Sequence, residues 1–410
     1  MTSRTTTVGL AMALVLAGGL SACSGDKQAA QGTQTVRPAG ATGSDDGEVP
    51  SPSSTPPAPP AKVVMTPADG AKGIAPNTPI KVAVTGGEVS DVKVVAREGE
   101  PVEGAFADGT WTPRRNLKLG TTYDVTGTIT RTDGTTQPLK SSFATLRPDT
   151  VAKYALTPMD DTVGVGMPAM VSFSSAVKDP KFKAEVEKHL KVTTTPVVAG
   201  SWGWVDDRRV MWRPASYWKP GTKVTVEALL DGVQTGEDKW VTRDDKEQFT
   251  IARSQVAKVD MKAHQMSVFR DGKLVKTIPV TTGKPGFTTR SGIKVIMEKV
   301  GHMTMDSETV GIPKGDPNYY KLDTEWNMRL TTTGEFLHAA PWSQWAQGKR
   351  NVSHGCTNMS MANAKWMFDN GMVGDPVEFT GTNKPFLDEE GITVWQYTWT
   401  DWQKKSALRR

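Results

Sequence analysis

Hydrophobic and polar residues alternate along two stretches of the chain that share one internal spacing. In each stretch a tryptophan is followed by a proline, then by a Gly-Thr pair, and then by alternating apolar residues. The matching positions are Trp111, Pro113, Gly120, Thr121, Tyr123 and Val125 in the first stretch, and Trp212, Pro214, Gly221, Thr222, Val224 and Val226 in the second. Alternation with a period of two predicts strands, and its repetition predicts two tandem β-sandwiches, residues 61–147 and 148–251.

Both predicted sandwiches are of the immunoglobulin type, because Val- and Thr-rich strands alternate with closely spaced Gly and Pro turns. Neither contains a cysteine, so neither carries an internal disulfide. The second is longer by about one helix. Residues Asp179 to Leu190 predict that helix, with Pro180 just inside its start and Phe182 and Val186 on one face.

Shorter strands and a long irregular segment follow between residues 252 and 380. Asp271 and Gly272 predict a two-residue hairpin turn. Residues 301–323 are interrupted by glycines and prolines and predict a functional loop, whereas residues 331–338 predict a strand. A helix is predicted from Met361 to Asn370, with Ser360 as its N-cap. This part of the chain therefore predicts a β-rich domain with one main helix.

The last segment, residues 381–410, is predicted to be a tail that docks on the body of the protein. Its tryptophans Trp395, Trp399 and Trp402 are spaced like one face of a helix. The expected fold class is thus mostly β, with two tandem immunoglobulin-like sandwiches, a β-rich third domain and a C-terminal tail.

The first 60 residues predict export and tethering. Arg4 and the apolar stretch from Val8 to Leu20 are typical of a signal peptide covering residues 1–22, since the stretch is too short to span a bilayer. The sequence around Cys23 resembles the lipobox of bacterial lipoproteins, which implies cleavage before Cys23 and lipidation of its thiol; an ordinary signal peptide is the alternative. Residues 23–60 are rich in proline and predict a tether. We therefore expect an extracytoplasmic protein, anchored to the membrane by lipid and acting in the cell wall.

Composition adds limits on the partners. The net charge of +5 and the pI of about 9.0 suit an anionic surface such as a cell wall or lipid headgroups. No Lys/Arg-rich run with interleaved aromatic residues occurs, so a nucleic-acid partner is not expected. No cofactor and no metal are predicted either.

Cysteine usage points to the candidate site. The chain has two cysteines, and lipidation of Cys23 would leave Cys356 without a partner. An unpaired thiol in an exported protein suggests reactivity. Cys356 lies four residues before Ser360, so the positive end of the predicted helix could favour the thiolate. Two histidines, His338 and His354, are alternative bases, and the Gly355 and Cys356 amides could hold an oxyanion.

At this point the residues resemble a family. His338 followed after fourteen residues by Ser353-His354-Gly355-Cys356-Thr357-Asn358 is similar to the signature of the YkuD-type L,D-transpeptidases. Further motifs of the same kind are Gly283-Lys284-Pro285-Gly286, Thr289-Arg290-Ser291-Gly292, His302-Met303-Thr304-Met305-Asp306-Ser307 and Ala340-Pro341-Trp342-Ser343. The resemblance covers residues from about 250 to 380, and the two sandwiches and the lipobox suit the longer members of the family.

The resemblance implies a cysteine acyltransferase that forms 3→3 crosslinks in peptidoglycan. A donor tetrapeptide stem would acylate the cysteine as a thioester and release D-Ala, and the side-chain amine of an acceptor stem would resolve the thioester. Inhibition by carbapenem-type β-lactams is also implied. The implied catalytic residues are Cys356, His338, Gly355, Tyr320, His354 and Ser353, and the implied substrate-binding residues are Asn358, Tyr320, Thr333, Gly334, Met305 and Trp342.

The resemblance also assigns roles. Cys356 would be the nucleophile and His338 the general base and acid, with the following backbone carbonyl orienting its ring. The Gly355 and Cys356 amides and the Tyr320 hydroxyl would hold the oxyanion. Ser353 and His354 would support the loop. Residues 301–323 would form a lid over the site.

Three positions depart from the family pattern, and other functions stay open. Thr357 takes a usually apolar position, Ala339 replaces a small polar residue, and Val310 lacks an aromatic ring on the lid. A carboxypeptidase or cysteine peptidase acting on wall peptides would use the same nucleophile and base. A non-catalytic wall-binding lipoprotein would explain the sandwiches and the tether but not the site.

Overall fold

The structure is a computed structural model that describes residues 59–159 and 161–409. The predicted signal peptide 1–22, the lipidation site Cys23 and all but the last two residues of the tether lie outside the described residues. No helix in the described part of the chain is long and apolar enough to cross a membrane.

The first sandwich consists of eight strands in two four-stranded sheets, ordered β1-β3-β6-β5 and β2-β8-β7-β4. The strands are β1 (Lys62–Thr66), β2 (Ala71–Ile74), β3 (Ile80–Thr85), β4 (Gly87–Ala96), β5 (Gly104–Ala107), β6 (Thr110–Pro113), β7 (Thr122–Arg131) and β8 (Thr136–Thr145). Ile80 and Trp111 of one sheet and Tyr123 and Val125 of the other belong to one buried apolar cluster. The core thus lies between the two sheets, as the alternating pattern predicts.

The second sandwich is larger and includes one helix. Its elements are β9 (Thr150–Val151), β10 (Tyr154–Thr157), β11 (Asp161–Val163), β12 (Ala169–Phe173), α1 (Pro180–Lys188), β13 (Leu190–Thr195), β14 (Gly200–Trp204), β15 (Arg209–Pro214), β16 (Lys223–Ala228), β17 (Gln234–Gly236), β18 (Lys239–Trp240) and β19 (Asp245–Ile251). The two main sheets have the orders β10-β12-β15-β14 and β11-β19-β16-β13, and β17-β18-β9 forms a small third sheet.

The repeat predicted from sequence is confirmed by strand pairing. Trp111 on β6 and Trp212 on β15 are both buried. The Trp111 ring lies against Gly104 of the paired strand β5, and the Trp212 ring lies against Gly200 of the paired strand β14. A side chain at either glycine would overlap the indole ring, so the glycine makes room for the tryptophan.

Helix α1 begins as predicted and ends earlier. The Asp179 side chain accepts a hydrogen bond from the Lys181 backbone N–H at 2.8 Å, and Phe182 and Val186 are buried. The prediction that the helix continues to Leu190 is wrong, because Leu190 is the first residue of β13 and pairs with Ala228. Strand pairing ends the helix after two and a half turns.

The third domain consists of two sheets and one main helix. Its elements are β20 (Gln255–Asp260), β21 (Gln265–Arg270), β22 (Lys273–Pro279), β23 (Gly292–Val295), β24 (Glu298–Asp306), β25 (Lys321–Arg329), β26 (Phe336–Ala339), β27 (Thr357–Met359), α2 (Met361–Asn370) and β28 (Pro376–Thr380). The sheets have the orders β22-β21-β20-β28-β23 and β24-β25-β26-β27. Buried residues of both sheets and Ala364 and Met367 of α2 form one core. Helix α2 has the predicted bounds, and Ser360 caps it by accepting from the Asn363 N–H.

Two predictions in this domain are corrected. The segment 301–323 is not one long loop, because its first residues belong to β24, which pairs with β25 from Glu298–Arg329 to Asp306–Lys321. The irregular part is the tip, residues 307–320, which begins with a 3-10 turn. The strand predicted for 331–338 begins only at Phe336, because Thr331 and Glu335 close a tight turn instead: the Glu335 N–H donates to Thr331 Oγ1 at 2.9 Å.

The C-terminal tail packs against the second sandwich. A 3-10 turn (Val394–Gln396) and the short helix α3 (Trp399–Gln403) are separated by extended residues, so the three tryptophans do not form one helical face. All three instead pack around Arg213 of β15. The Arg213 Cζ lies 4.9, 5.5 and 5.4 Å from the ring centres of Trp395, Trp399 and Trp402.

Candidate active site

Parallel pairing of β26 and β27 brings the predicted site residues together. His338 is the register partner of Asn358, and Leu337 and Ala339 pair with Thr357 and Met359. Cys356 lies in the bend just before β27, and its side chain lines the same cavity as His338 and Asn358. The second histidine, His354, is not part of this pairing.

The His338 side chain is buried and held in one tautomer. Its Nδ1 lies 2.9 Å from the Ala339 carbonyl oxygen. A carbonyl can only accept, so Nδ1 carries the proton and Nε2 keeps a free lone pair. Burial lowers the pKa of His338 to about 4, against opposing contributions from the Ala339 carbonyl and Asn358. The imidazole is therefore neutral near pH 7 and able to accept a proton.

The Cys356 thiol is buried and protonated. Its Sγ donates to the Gly334 carbonyl oxygen at 3.5 Å. Burial raises the pKa of the thiol to about 12, although the Phe336 backbone N–H favours the thiolate. The effect of the α2 N-terminus on the thiolate stays a prediction, and loss of hydration outweighs the favourable contributions of the Phe336 amide, Lys294 and Arg329. The sequence does not predict the role of the Phe336 amide, since only the tertiary structure brings it close to the sulfur.

The turn before Cys356 is fixed by its own hydrogen bonds. Ser353 Oγ donates to the Cys356 carbonyl at 2.6 Å and accepts from the Gly355 N–H at 3.1 Å. Thr289 Oγ1 donates to the Gly355 carbonyl at 2.7 Å. Gly355 has φ +128°, which side chains rarely adopt. The Gly355 amide, predicted as an oxyanion donor, is therefore engaged by Ser353 in this structure.

A cavity of about 310 Å³ opens over the two strands. It is lined by Met305, Tyr320, Leu322, His338, Trp342, Ser343, Trp345, Val352, Ser353, His354, Cys356 and Asn358. Most of the predicted site residues are in this set. Thr333 and Gly334, predicted to contact substrate, are not: they form the turn before β26, where Thr333 Oγ1 donates to Thr331 Oγ1 and Gly334 offers its carbonyl to the thiol.

Aromatic side chains form the wall of the cavity nearest the tip 307–320. The His354 ring lies 5.1 Å from the Tyr320 ring and 4.6 Å from Phe287. His354 Nε2 is buried and has no hydrogen-bond partner. Burial raises the pKa of Tyr320 to about 12, so its hydroxyl keeps its proton and remains a donor. Val310, on the tip, is exposed and packs against the position of Gly334.

Two tryptophans stand at the rim. Trp342 and Trp345 are 50% and 53% exposed, unlike the buried tryptophans of the two sandwich cores. The Trp342 ring lies 6.1 Å from the His338 ring. Within residues 59–159 and 161–409, no group of three or more side chains is arranged to hold a metal ion.

Two family models match the chain. One, the YkuD L,D-transpeptidase catalytic domain, matches residues 254–379 and so contains the whole cavity; the other, a bacterial Ig domain, matches residues 71–234. L,D-transpeptidase 2 of Mycobacterium tuberculosis is 34% identical over 353 residues, which cover 84% of this chain and 85% of that protein. The chain belongs to the L,D-transpeptidase family.

Other L,D-transpeptidases are similar. L,D-transpeptidase 5 of Mycobacterium tuberculosis is 35% identical over 364 residues, covering 86% of this chain and 78% of the relative. The solved structure of L,D-transpeptidase 3 from the same species, in complex with a faropenem-derived adduct, is 28% identical and covers 55% of this chain and 97% of its own, with a TM-score of 0.47. Membership in the L,D-transpeptidases makes this an acyltransferase-type enzyme with an immunoglobulin-like region before its catalytic domain.

Proposed function

We propose that this enzyme forms 3→3 crosslinks in peptidoglycan through a thioester on Cys356. The observation that carries the proposal is that Cys356 and a neutral His338 line one cavity, with Cys356 in the bend just before the strand that pairs with the His338 strand. A nucleophile and a base in adjacent positions are the minimum requirement for covalent acyl transfer.

In the first half-reaction, Cys356 attacks the carbonyl of the third residue of a donor tetrapeptide. His338 Nε2 takes the thiol proton as the carbon–sulfur bond forms. The Tyr320 hydroxyl and the Cys356 backbone N–H stabilise the oxyanion. His338 then returns the proton to the leaving nitrogen, D-Ala departs, and the thioester remains.

In the second half-reaction, the side-chain amine of an acceptor stem attacks the thioester. His338 accepts the amine proton, and the same proton restores the Cys356 thiol when the carbon–sulfur bond breaks. A protonated resting thiol suits this cycle, because proton transfer can accompany attack and no standing thiolate is exposed to oxidants. Asn358, Met305 and Trp342 line the cavity and are proposed to hold the stems.

Two proposals concern inhibition and location. A β-lactam carries a strained amide that the same thiol can open, so we expect carbapenem-type compounds to acylate Cys356.

We also propose lipidation of Cys23 and anchoring at the outer face of the cell membrane, with residues 23–60 as the tether. Mass spectrometry of the membrane fraction would test the anchor, because a lipidated N-terminal Cys23 is expected and an unmodified soluble chain would contradict it.

The function is tested with a purified disaccharide-tetrapeptide. A crosslinked dimer with release of one D-Ala per bond is expected. Trimmed monomers alone would indicate a carboxypeptidase, and unchanged substrate would indicate a wall-binding protein without activity. The Cys356→Ala variant should form neither product, and dimer formation by that variant would show that the nucleophile is misassigned.

A further inference from the structure

Four charged side chains form a buried cluster next to the Cys356 turn, and none of them lines the cavity. Lys294 of β23 forms an ion pair with Glu335, and Arg290 Nη1 lies 2.9 Å from the same carboxylate. Arg290 Nε also donates to Glu390 of the tail at 2.6 Å. The side chains of Lys294 and Glu335 are 0% and 5% exposed. Two cations and two anions balance, which is the condition for burying charge at this depth.

Glu335 supports the turn that holds the nucleophile. It follows Gly334, whose carbonyl accepts the Cys356 thiol proton. Its side chain also lies below Gly355, because a Cβ at that glycine would be 3.8 Å from Glu335 Cγ. Besides the Arg290 guanidinium, its carboxylate accepts the Arg290 backbone N–H at 3.1 Å. Glu335 thereby links the turn before β26 to the Arg290 segment and lies beneath Gly355.

A carboxylate at this place also opposes the chemistry. Acyl transfer builds negative charge on sulfur, and a nearby anion disfavours it. Glu335 raises the pKa of Cys356, whereas Lys294 and Arg329 lower it. Burial lowers the pKa of Lys294 below its ordinary value, and the Glu335 carboxylate opposes this shift without cancelling it. The Lys294 Nζ lies 3.8 Å from the centre of the Phe379 ring, which adds a second favourable contact for the ammonium.

We propose that Lys294 is a positioning residue that neutralises Glu335, so that this carboxylate can lie beneath the nucleophile turn without opposing the formation of negative charge on Cys356. The proposal rests on the proposed role of Cys356 as nucleophile. Lys294 and Glu335 both lie outside the cavity lining, and their ion pair would affect the reactivity of Cys356 as well as the stability of the fold. The remaining titratable and charged groups around the sulfur are His338, His354, Tyr320 and Arg329.

The test is the rate at which iodoacetamide alkylates Cys356 in the full-length protein as a function of pH. The rate is followed by mass spectrometry on the peptide that contains Cys356, so Cys23 does not contribute. In Lys294→Met, the Glu335 carboxylate retains its ion pair with Arg290 but loses its ion pair with Lys294. We expect alkylation about tenfold slower at any fixed pH between 7 and 9, the change produced by one unit of thiol pKa.

The double variant separates charge from structure. Lys294→Met with Glu335→Gln removes both charges, and we expect alkylation to recover to within about threefold of the wild-type rate. A purely structural cluster predicts the opposite for the single variant, since an unpaired buried carboxylate would loosen the fold and expose Cys356 to faster alkylation. An unchanged profile in the single variant, or a double variant slower than the single one, would overturn the proposal.

A matched control and an independent readout complete the design. Lys258→Met alters a lysine of the same sheet that pairs with Glu378 at 3.5 Å on the surface, and it should leave the profile unchanged. If circular dichroism shows that Lys294→Met is unfolded, Lys294→Gln is used with the same expectations. Crosslinking by the wild-type enzyme is assayed separately, so absence of dimer would count against the proposed function while the alkylation profiles still decide the role of Lys294.

Discussion

The Cys356 thiol is hydrogen-bonded to the Gly334 carbonyl oxygen at 3.5 Å, and His338 is anchored through Nδ1 to the Ala339 carbonyl at 2.9 Å. Each of the two proposed reacting groups is thus held by a backbone carbonyl. In the proposed mechanism, the thiol turns from Gly334 toward His338 Nε2 when substrate enters. This rearrangement is local, because the backbone around Cys356 is already fixed by Ser353.

Replacement of His338 by glutamine is expected to reduce dimer formation by at least about 100-fold, the usual contribution of a general base. The side chain keeps a polar group near the Ala339 carbonyl but cannot accept and return a proton. Initial rates with the disaccharide-tetrapeptide measure this effect. His302, which is exposed on β24 and does not line the cavity, provides the control: His302→Gln should keep wild-type activity. Near-normal turnover by His338→Gln would transfer the role of base to another group.

The buried state of His338 predicts how stability depends on pH. Its pKa is about 4 in the folded protein, compared with 6.5 in a model chain. Between these values the unfolded chain binds a proton that the folded protein does not, so the free energy of unfolding falls as the pH is lowered. From pH 8 to pH 5 this loss is about 2 kcal/mol. In urea unfolding, the free energy of unfolding of His338→Gln should fall less between these pH values than that of the wild type. Equal decreases in both proteins would contradict a neutral buried imidazole.

Ser353→Ala removes the hydroxyl that joins the Gly355 N–H to the Cys356 carbonyl. Two backbone groups then lose their buried partner, at a cost of about 1–3 kcal/mol in the free energy of unfolding. We expect crosslinking to fall by more than this stability loss explains, because the nucleophile turn loosens. Ser360→Ala is a matched control: it removes the N-cap of α2, costs about 1 kcal/mol and should leave activity unchanged. Equal activity losses in the two variants would show that Ser353 acts only through stability.

Arg213→Lys is expected to release the C-terminal tail. The guanidinium is buried, stacks with three tryptophans and donates to the Tyr397 carbonyl at 2.8 Å, and a lysine cannot reproduce this planar arrangement. Burial lowers the pKa of Arg213 to about 10. Loss of these contacts should reduce the free energy of unfolding by about 2–4 kcal/mol. Limited proteolysis should then cleave within residues 391–409 first, and a tail as resistant as in the wild type would contradict this account.

A carbapenem should add its own mass to the chain at Cys356. The Cys356→Ser variant keeps the shape of the side chain but offers a poorer nucleophile, so it should acquire little or no adduct. Mass spectrometry of the intact protein and of its peptides measures both. An adduct of equal yield in Cys356→Ser would place the reaction at another residue.

Elements defined by neighbouring residues could be predicted with good accuracy. Helix α2 has its predicted bounds, because Ser360 is an N-cap and the apolar positions follow one face. The hairpin turn at Asp271 and Gly272 is confirmed by φ values of +50° and +77°. The prediction for residues 301–323 was wrong at its start, because pairing with β25 makes a strand of residues whose own sequence indicates a loop.

The sequence by itself determined the repeat of two sandwiches, the main helix, and the presence of one unpaired cysteine with two possible bases. These follow from periodicity, capping residues and motif spacing, which are local properties. Only the tertiary structure decided that His338 and not His354 lies beside Asn358 in the register, that the Cys356 thiol is protonated, and that Lys294 and Glu335 meet at the nucleophile turn. Strand register, burial and ion pairing depend on residues distant in the chain, so local patterns do not contain them.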